Sequence, residues 1–314
     1  MTADSGATPR VSVVIPTYNR KNDAVECVES LLKSTWTDME IIVVDNASVD
    51  GTSELLRDRF GDRIRLVRSE VNLYAGGGRN LGAAHARGEW LVFVDSDNIV
   101  DPGMIEALMT GALAQPAECL GLYGPLMYYA DRPDTICLVS GDISLWTSLT
   151  HWTGNREQDT GQYRETASIP TGHIPNLFMI LRSLYSELGG IEARYQMHYE
   201  ESDLAERVKR MGRDVLVFPQ AKTWHKIPYE KPKGDKQFDG QHNQLLYYSV
   251  RNRIWYMKRF ASALQLSVYF LLFGPLLLAI QLSMCLRNGQ PRLLFIVAKG
   301  YWDGWRENVS GRCS

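Results

Sequence analysis

No Cys-x-x-Cys pair occurs in the chain. Its five cysteines, Cys27, Cys119, Cys137, Cys285 and Cys313, are scattered and odd in number. That excludes a disulfide framework and a cysteine-built zinc site, and points to a reducing compartment. An excess of either charge is also lacking: 34 Lys and Arg stand against 36 Asp and Glu, a net −2. Without a basic field, nucleic acid is not an expected partner. The polar first ten residues hold no apolar run, so no secretory signal is expected, and the Asn308-Val309-Ser310 sequon is read as chance. There is no internal repeat and no low-complexity segment. The first apolar run, Val11 to Ile15, is not followed by G-x-G-x-x-G. That absence speaks against a nicotinamide-dependent oxidoreductase.

What is present is a regular alternation. Apolar runs at 11–16, 40–44, 63–67 and 90–94 read as strands. Between them, 24–34, 53–60 and 79–87 have helical spacing or helix-start signals. Such alternation predicts an α/β layer fold with a mostly parallel central sheet. Right-handed crossovers would place Thr17, Asp45 and Asp95 along one strand-end edge, where ligands of such sheets bind. Residues 117–175 are less regular and rich in Tyr, Trp and Thr; helical spacing returns at 183–188 and 201–211, and a strand is expected at 215–218.

Leu264 to Leu286 runs for about 23 residues without a charge, long enough for a helix to span a bilayer. Lys258 and Arg259 precede it, and Arg287 and Arg292 follow. Gly274-Pro275 in its middle is expected to kink or break a helix, and Leu293 to Trp305 adds a second apolar-aromatic stretch. A buried core helix and a bent, partly inserted element both fit. The expected division is a polar tail at 1–10, a main domain at 11–260 and a C-terminal apolar helical module at 261–314, membrane-associated.

Asp95-Ser96-Asp97 ends the fourth strand. Two carboxylates one residue apart repel unless a cation lies between them, and a divalent ion carrying phosphates suits them. Asp45-Asn46-Ala47-Ser48 ends the second strand and offers partners for a base or ribose, or an ordinary Asx turn. Gly76-Gly77-Gly78-Arg79-Asn80 reads as a glycine-rich loop entering a helix, where backbone and helix N-terminus suit an anion. Glu200-Glu201-Ser202-Asp203 opens a helix: charge complementarity with the helix dipole, or a general base at a cleft wall. Trp224-His225 closes the set, its histidine either structural or a metal ligand beside Asp97.

In this order the motifs resemble the family 2 inverting glycosyltransferases of GT-A fold, over about residues 10 to 260. Asn72 to Gly82 is most similar to the rhamnosyl- and galactofuranosyltransferase-like branch. The resemblance implies roles. Pro16, Thr17, Tyr18 and Arg20 would hold the nucleotide, with Asp45 on the base and Asn46 and Ser48 beside it. Gly76, Gly77, Arg79 and Asn80 would lie near the diphosphate and sugar. Asp95, Ser96 and Asp97 would contact ribose or donor sugar and, through Asp97 and Asp95 with His225 as third contact, Mn²⁺ or Mg²⁺. Glu201 would be the general base, with Glu200 and Asp203 completing the acidic motif. Two departures stand out. Glu201 occupies a position where Asp is usual, and Asn176-Leu177 replaces the small pair before the apolar run ending at Arg182.

The implied activity is transfer of a sugar from a UDP-, dTDP- or GDP-linked donor to a glycan or polyprenyl-linked acceptor, in cell-surface polysaccharide or glycoconjugate assembly. The implied place is the cytoplasmic face of a membrane, with homo-oligomerisation left open. The alternative is a nucleotide-sugar-binding protein without turnover.

Overall fold

The computed structural model of the chain describes residues 9–174, 176–230, 240–287 and 289–307. Most of the polar N-terminal tail, Cys313 and the sequon at 308–310 lie outside the described residues. The first half is β1 (Val11–Thr17), α1 (Lys21–Leu31), β2 (Met39–Asp45), α2 (Thr52–Phe60), β3 (Arg65–Arg68), α3 (Tyr74–His85) and β4 (Trp90–Val94). The second is β5 (Asn98–Val100), α4 (Met104–Leu113), β6 (Leu122–Tyr129), β7 (Arg132–Leu138), β8 (Ser140–Ile143), β9 (Thr150–Thr153), β10 (Ile169–Pro170), β11 (Leu177–Leu181), α5 (Arg182–Glu187), α6 (Glu200–Arg210) and β12 (Val215–His225). α7 (Gly240–Phe260), α8 (Ala263–Val268), α9 (Gly274–Arg287) and α10 (Arg292–Arg306) follow.

The main sheet runs β10-β12-β6-β11-β4-β1-β2-β3. Strands β1 to β4 pair in parallel, as their helical crossovers require, with Thr17 opposite Asp45 and Asp45 opposite Arg68. Beyond them the sheet departs from the expected parallel course only in part: β12 still runs parallel to β6. β11 runs antiparallel to both β4 and β6, because an irregular connection, not a crossover helix, leads into it. The sheet is therefore mixed. Both its faces are covered: Val11, Val13 and Ile15 pack toward α1 and α4, while Val14, Phe93 and Phe178 pack toward α5 and α6. That is why the strands read as unbroken apolar runs and not as alternating ones.

Gly274-Pro275 does not break the C-terminal helix. Ala263–Arg287 forms one 25-residue helical run. A π-helical turn at Tyr269–Phe273 precedes Pro275, with Gly274 N–H donating to the Tyr269 carbonyl five residues back, a widened turn of the kind that accommodates a proline. The most apolar stretch of the run has mean hydropathy 2.0, and only 11% of that stretch is buried. It is long and apolar enough to cross a membrane, and Leu271, Leu272, Leu276 and Met284 stand exposed on it. α10 then returns to lie on α7. A Cβ on Gly300 or Gly304 would come within 2.9 Å of the Tyr247 or Arg251 carbonyl, so the helices meet backbone to side-chain-free backbone.

Candidate active site

The C-terminal ends of β1, β2 and β4 form one wall of a cleft of about 300 Å³. Pro16, Thr17, Tyr18 and Arg20 come from β1 and the turn after it, Asn46 from just after β2, and Asp95, Ser96 and Asp97 from just after β4. Thr17 Oγ1 and Asn46 Oδ1 are buried there without a hydrogen-bond partner among the described residues. Buried polar atoms are rarely left so, and both suit a polar ligand. The opposite wall is Gln196, Met197, His198 and Glu200, with Leu245 from α7.

A tight turn sets the Asp95-Ser96-Asp97 geometry. Asp95 N–H donates to the Asn176 carbonyl at 3.0 Å, and Asn98 N–H donates back to the Asp95 carbonyl at 3.0 Å. β5 then pairs with β12, Asn98 opposite His225. This pairing brings His225 Nε2 to 3.5 Å from Asp97 Oδ1, while Arg20 Nη1 stands 3.4 Å from Asp97 Oδ2. Burial works against the Asp97 charge, but His225 and Arg20 hold its carboxyl below the ordinary range. His225 is pushed up to about 9: burial opposes its charge, and the contacts with Asp97 and Cys137 outweigh burial. Asp97 lines the cleft with His225 beside it; the carboxylate suits Mn²⁺ or Mg²⁺, whose remaining positions phosphate and water can fill, and the imidazole could add to Mn²⁺. Among the described residues no three His, Cys, Asp or Glu side chains converge on one point. Asp97 and His225 would be the residues that hold such an ion, His225 giving up its proton to bind it.

Arg79 connects the two walls. It is fully buried; Nη2 donates to Asp95 Oδ1 at 2.6 Å and Nη1 to Glu201 Oε1 at 2.7 Å. Desolvation disfavours its charge, but the surrounding carboxylates raise its pKa further above its ordinary value. Asp95 is pushed up to about 6 by burial and by Asp97 and Glu201, against the pull of Arg79. The acidic pair splits. Glu200 is driven well above the carboxylate range by burial and the neighbouring Glu201 charge, and its Oε2 has no partner among the described residues. Glu201 is also opposed by burial, yet Arg79 and His173 hold it below that range. Two adjacent carboxyls with pKa values pushed apart can act as an ionised base beside a neutral donor.

Several residues expected at the site stand elsewhere. Asp45 is fully buried behind the wall, accepting from Ser48 N–H at 2.8 Å and from the Ser53 hydroxyl and Arg68 guanidinium. Ser48 Oγ accepts from Asn19 N–H at 2.9 Å and does not line the cleft. The open polar group at this strand end is Asn46. Gly76 and Gly77 are not a loop: α3 begins at Tyr74 and contains them. A Cβ on Gly76 would meet Ile191 at 2.9 Å and one on Gly77 would meet Leu73 at 2.8 Å. These glycines serve close packing, not a phosphate cradle. Asn80 spends its amide on Ile191 N–H and C=O and on the Tyr185 hydroxyl. Asp203 is fully buried between Arg207 and Arg259, both at 2.7 Å, and ties α6 to α7.

The chain just before Glu200 carries the second wall, and its backbone course was not legible in the sequence. Gln196, His198 and Tyr199 have φ of 63°, 65° and 74°, the left-handed region that costs L-residues about 1–2 kcal/mol each. No local signal marks these positions, since none is glycine. Sequence reasoning also missed Tyr74, Ala75 and Asn72 in the cleft, and His173, whose Nδ1 lies 2.7 Å from Ser202 Oγ. Burial lowers His173 to about 4.

The family model for glycosyl transferase family 2 matches residues 12–189. The glycosyltransferase GlyG of Streptococcus pneumoniae serotype 4 is 43% identical over 185 residues, 57% of this chain and 58% of that protein. The chain thus spans less than two thirds of the curated relatives it matches. Among solved structures, the mannosyltransferase PcManGT from Pyrobaculum calidifontis, in complex with GDP-Man and Mn²⁺, superposes with TM-score 0.57 at 16% identity, covering 96% of this chain and 88% of that one. GalNAc-T7 with UDP, GalNAc and Mn²⁺ gives 0.58 at 18% identity over 80% of this chain and 49% of that one. These structures share the GT-A fold with it. With more than half of its length matched in sequence and the strand-end aspartates at the cleft, the chain belongs to glycosyl transferase family 2.

Proposed function

We propose that the protein transfers a sugar from a nucleotide diphosphate donor to a hydroxyl of a glycan or lipid-linked acceptor, with inversion, using Mn²⁺ or Mg²⁺. The observation that carries this is Asp97, with His225 beside it at 3.5 Å, on one wall of a cleft whose other wall presents Glu200, with Glu201 next to it on Arg79. Thr17, Asn46 and Tyr18 suit the nucleoside, and Asp97 with His225 would hold the ion. When bound, that ion offsets diphosphate charge as it develops on the leaving group. Glu201, ionised beside Arg79, takes the acceptor proton as the oxygen attacks the anomeric carbon from the opposite face. Glu200, neutral, donates a hydrogen bond into the cleft. One base and one displacement invert the centre.

The exposed leucines of the 25-residue helix support a membrane anchor holding the cleft at the cytoplasmic face, near a lipid-linked acceptor. The basic residues before it have inward tasks: Arg259 holds Asp203, and Lys258 Nζ donates to the Trp305 and Glu307 carbonyls at the end of α10. A polysaccharide or glycoconjugate assembly role, and the rhamnosyl- or galactofuranosyl-like branch, rest on the motif resemblance. A second reading, a nucleotide-sugar binder without turnover, is favoured by one contact: Arg79 on Glu201 Oε1 weakens that base. Full-length protein in detergent, offered UDP-, dTDP- and GDP-sugars with Mn²⁺, separates them. Release of nucleoside diphosphate that rises with a lipid-linked or glycan acceptor supports transfer; Mn²⁺-dependent binding with no release supports the binder.

A further inference from the structure

We infer that Asn252, in the middle of α7, is the positioning residue that fixes the second wall of the cleft and with it the acidic pair. Its amide nitrogen donates to the carbonyls of Tyr195 (2.8 Å), Met197 (2.7 Å) and His198 (3.0 Å). Its oxygen accepts from Arg251 Nε at 2.9 Å, and Arg251 Nη2 donates to the carbonyls of Arg194 (2.9 Å) and Tyr195 (3.2 Å). Arg251 is itself fixed by stacking on Trp255 at 3.9 Å. Asn252 is fully buried. The two side chains thus gather the carbonyls of Arg194, Tyr195, Met197 and His198 on one helix.

The bracket has a specific object. Left-handed backbone at Gln196, His198 and Tyr199 lies among the carbonyls that Asn252 gathers and leads directly into Glu200, the first residue of α6. Backbone in this region persists only where its surroundings over-determine it. Asn252 is suited by chemistry: it is neutral, short and carries two N–H donors. An Asp of the same shape would set a carboxylate against three carbonyls. α7 in turn lies against Gly300 and Gly304 of α10, so the apolar C-terminal helices belong to the scaffold of the cleft.

The catalytic part of this inference rests on the proposed transfer reaction; the structural part does not. The test uses the full chain in detergent, with Asn252→Asp and the milder Asn252→Ser, whose hydroxyl can still serve one carbonyl. Hydrogen exchange of peptides covering 194–201 should quicken by about tenfold or more in Asn252→Asp and less in Asn252→Ser. Turnover should fall by about 10²-fold in kcat, as for a misplaced catalytic group, while UDP or GDP affinity with Mn²⁺ stays within about threefold. Nucleotide binding is spared because Thr17, Asn46 and Asp97 lie on the other wall. Unchanged exchange, or kcat retained, overturns the inference; so does nucleotide affinity falling in parallel with kcat. If Asn252→Asp does not fold, Asn252→Ser decides by the same measures. If the wild type transfers no sugar, the proposed function fails while the exchange result still judges the bracket.

Discussion

The two walls of the cleft are built by opposite means. The first is the edge of a sheet: Thr17, Asn46 and Asp95 follow parallel strands whose register is fixed by main-chain pairing. The second is irregular chain, left-handed at three non-glycine positions and held by a helix more than fifty residues later in sequence. One wall is as rigid as the core behind it. The other depends on a few side-chain amides and guanidinium groups, so local changes there should alter chemistry before they alter folding. Arg79 ties the two, with one hand on Asp95 and one on Glu201.

Breaking the first wall should have the largest effect. Asp97→Asn keeps shape and removes the charge that faces His225. Turnover should drop by more than about 10³-fold, since several kcal/mol of charge stabilisation go with the ion. The thermal midpoint without ligand should fall modestly, because His225 loses the carboxylate that holds its proton. On the second wall, Glu201→Gln should lower kcat by about 10²–10⁴-fold with nucleotide affinity unchanged. Glu200→Gln should cost less than about tenfold, because an amide replaces a carboxyl already neutral in the fold. Steady-state kinetics of the pair checks this directly; an inactive Glu200→Gln beside an active Glu201→Gln would exchange their roles.

Two smaller effects separate packing from chemistry. Gly82→Ala would place a Cβ 2.2 Å from Val14 Cγ1 and 3.0 Å from Val44 Cγ2, behind the first wall. It should destabilise by about 1–3 kcal/mol in denaturant titration, with the cleft residues untouched. His173, behind the second wall, stays neutral in the fold down to about pH 4, whereas the unfolded chain takes up that proton near 6.5. Its contribution is complete above about 6.5 and is lost as pH falls toward 4, at most about 3 kcal/mol. His173→Gln should flatten the stability profile in that window.

The same contrast decides what could be read from the chain. Apolar runs ending in Asp45 and Asp95 betray a strand edge, because period and punctuation are local, and the ordered motifs betray the family. The fates of individual side chains were less legible. Asp45 and Asn80 look like ligand contacts until Arg68, Ser53, Ile191 and Tyr185 are seen to occupy them. Asp203 has a visible partner four residues on, Arg207, but Arg259 reaches it only through the packing of α7. Gly76 to Gly78 suggest a loop, yet they thin a helix so that Ile191, Pro16 and Asn46 can approach. The antiparallel course of β11 and the Asn252 bracket depend on tertiary contacts alone.

The central claim is that a divalent ion held by Asp97 joins a nucleoside diphosphate to this cleft. The most direct measurement is the thermal midpoint of the full chain with UDP or GDP, with and without Mn²⁺, for the wild type and Asp97→Asn. A ligand that binds only the folded state raises that midpoint. The midpoint should rise with nucleotide and Mn²⁺ together in the wild type, and not in Asp97→Asn or in excess chelator. An equal rise in chelator, or in Asp97→Asn, would contradict the account.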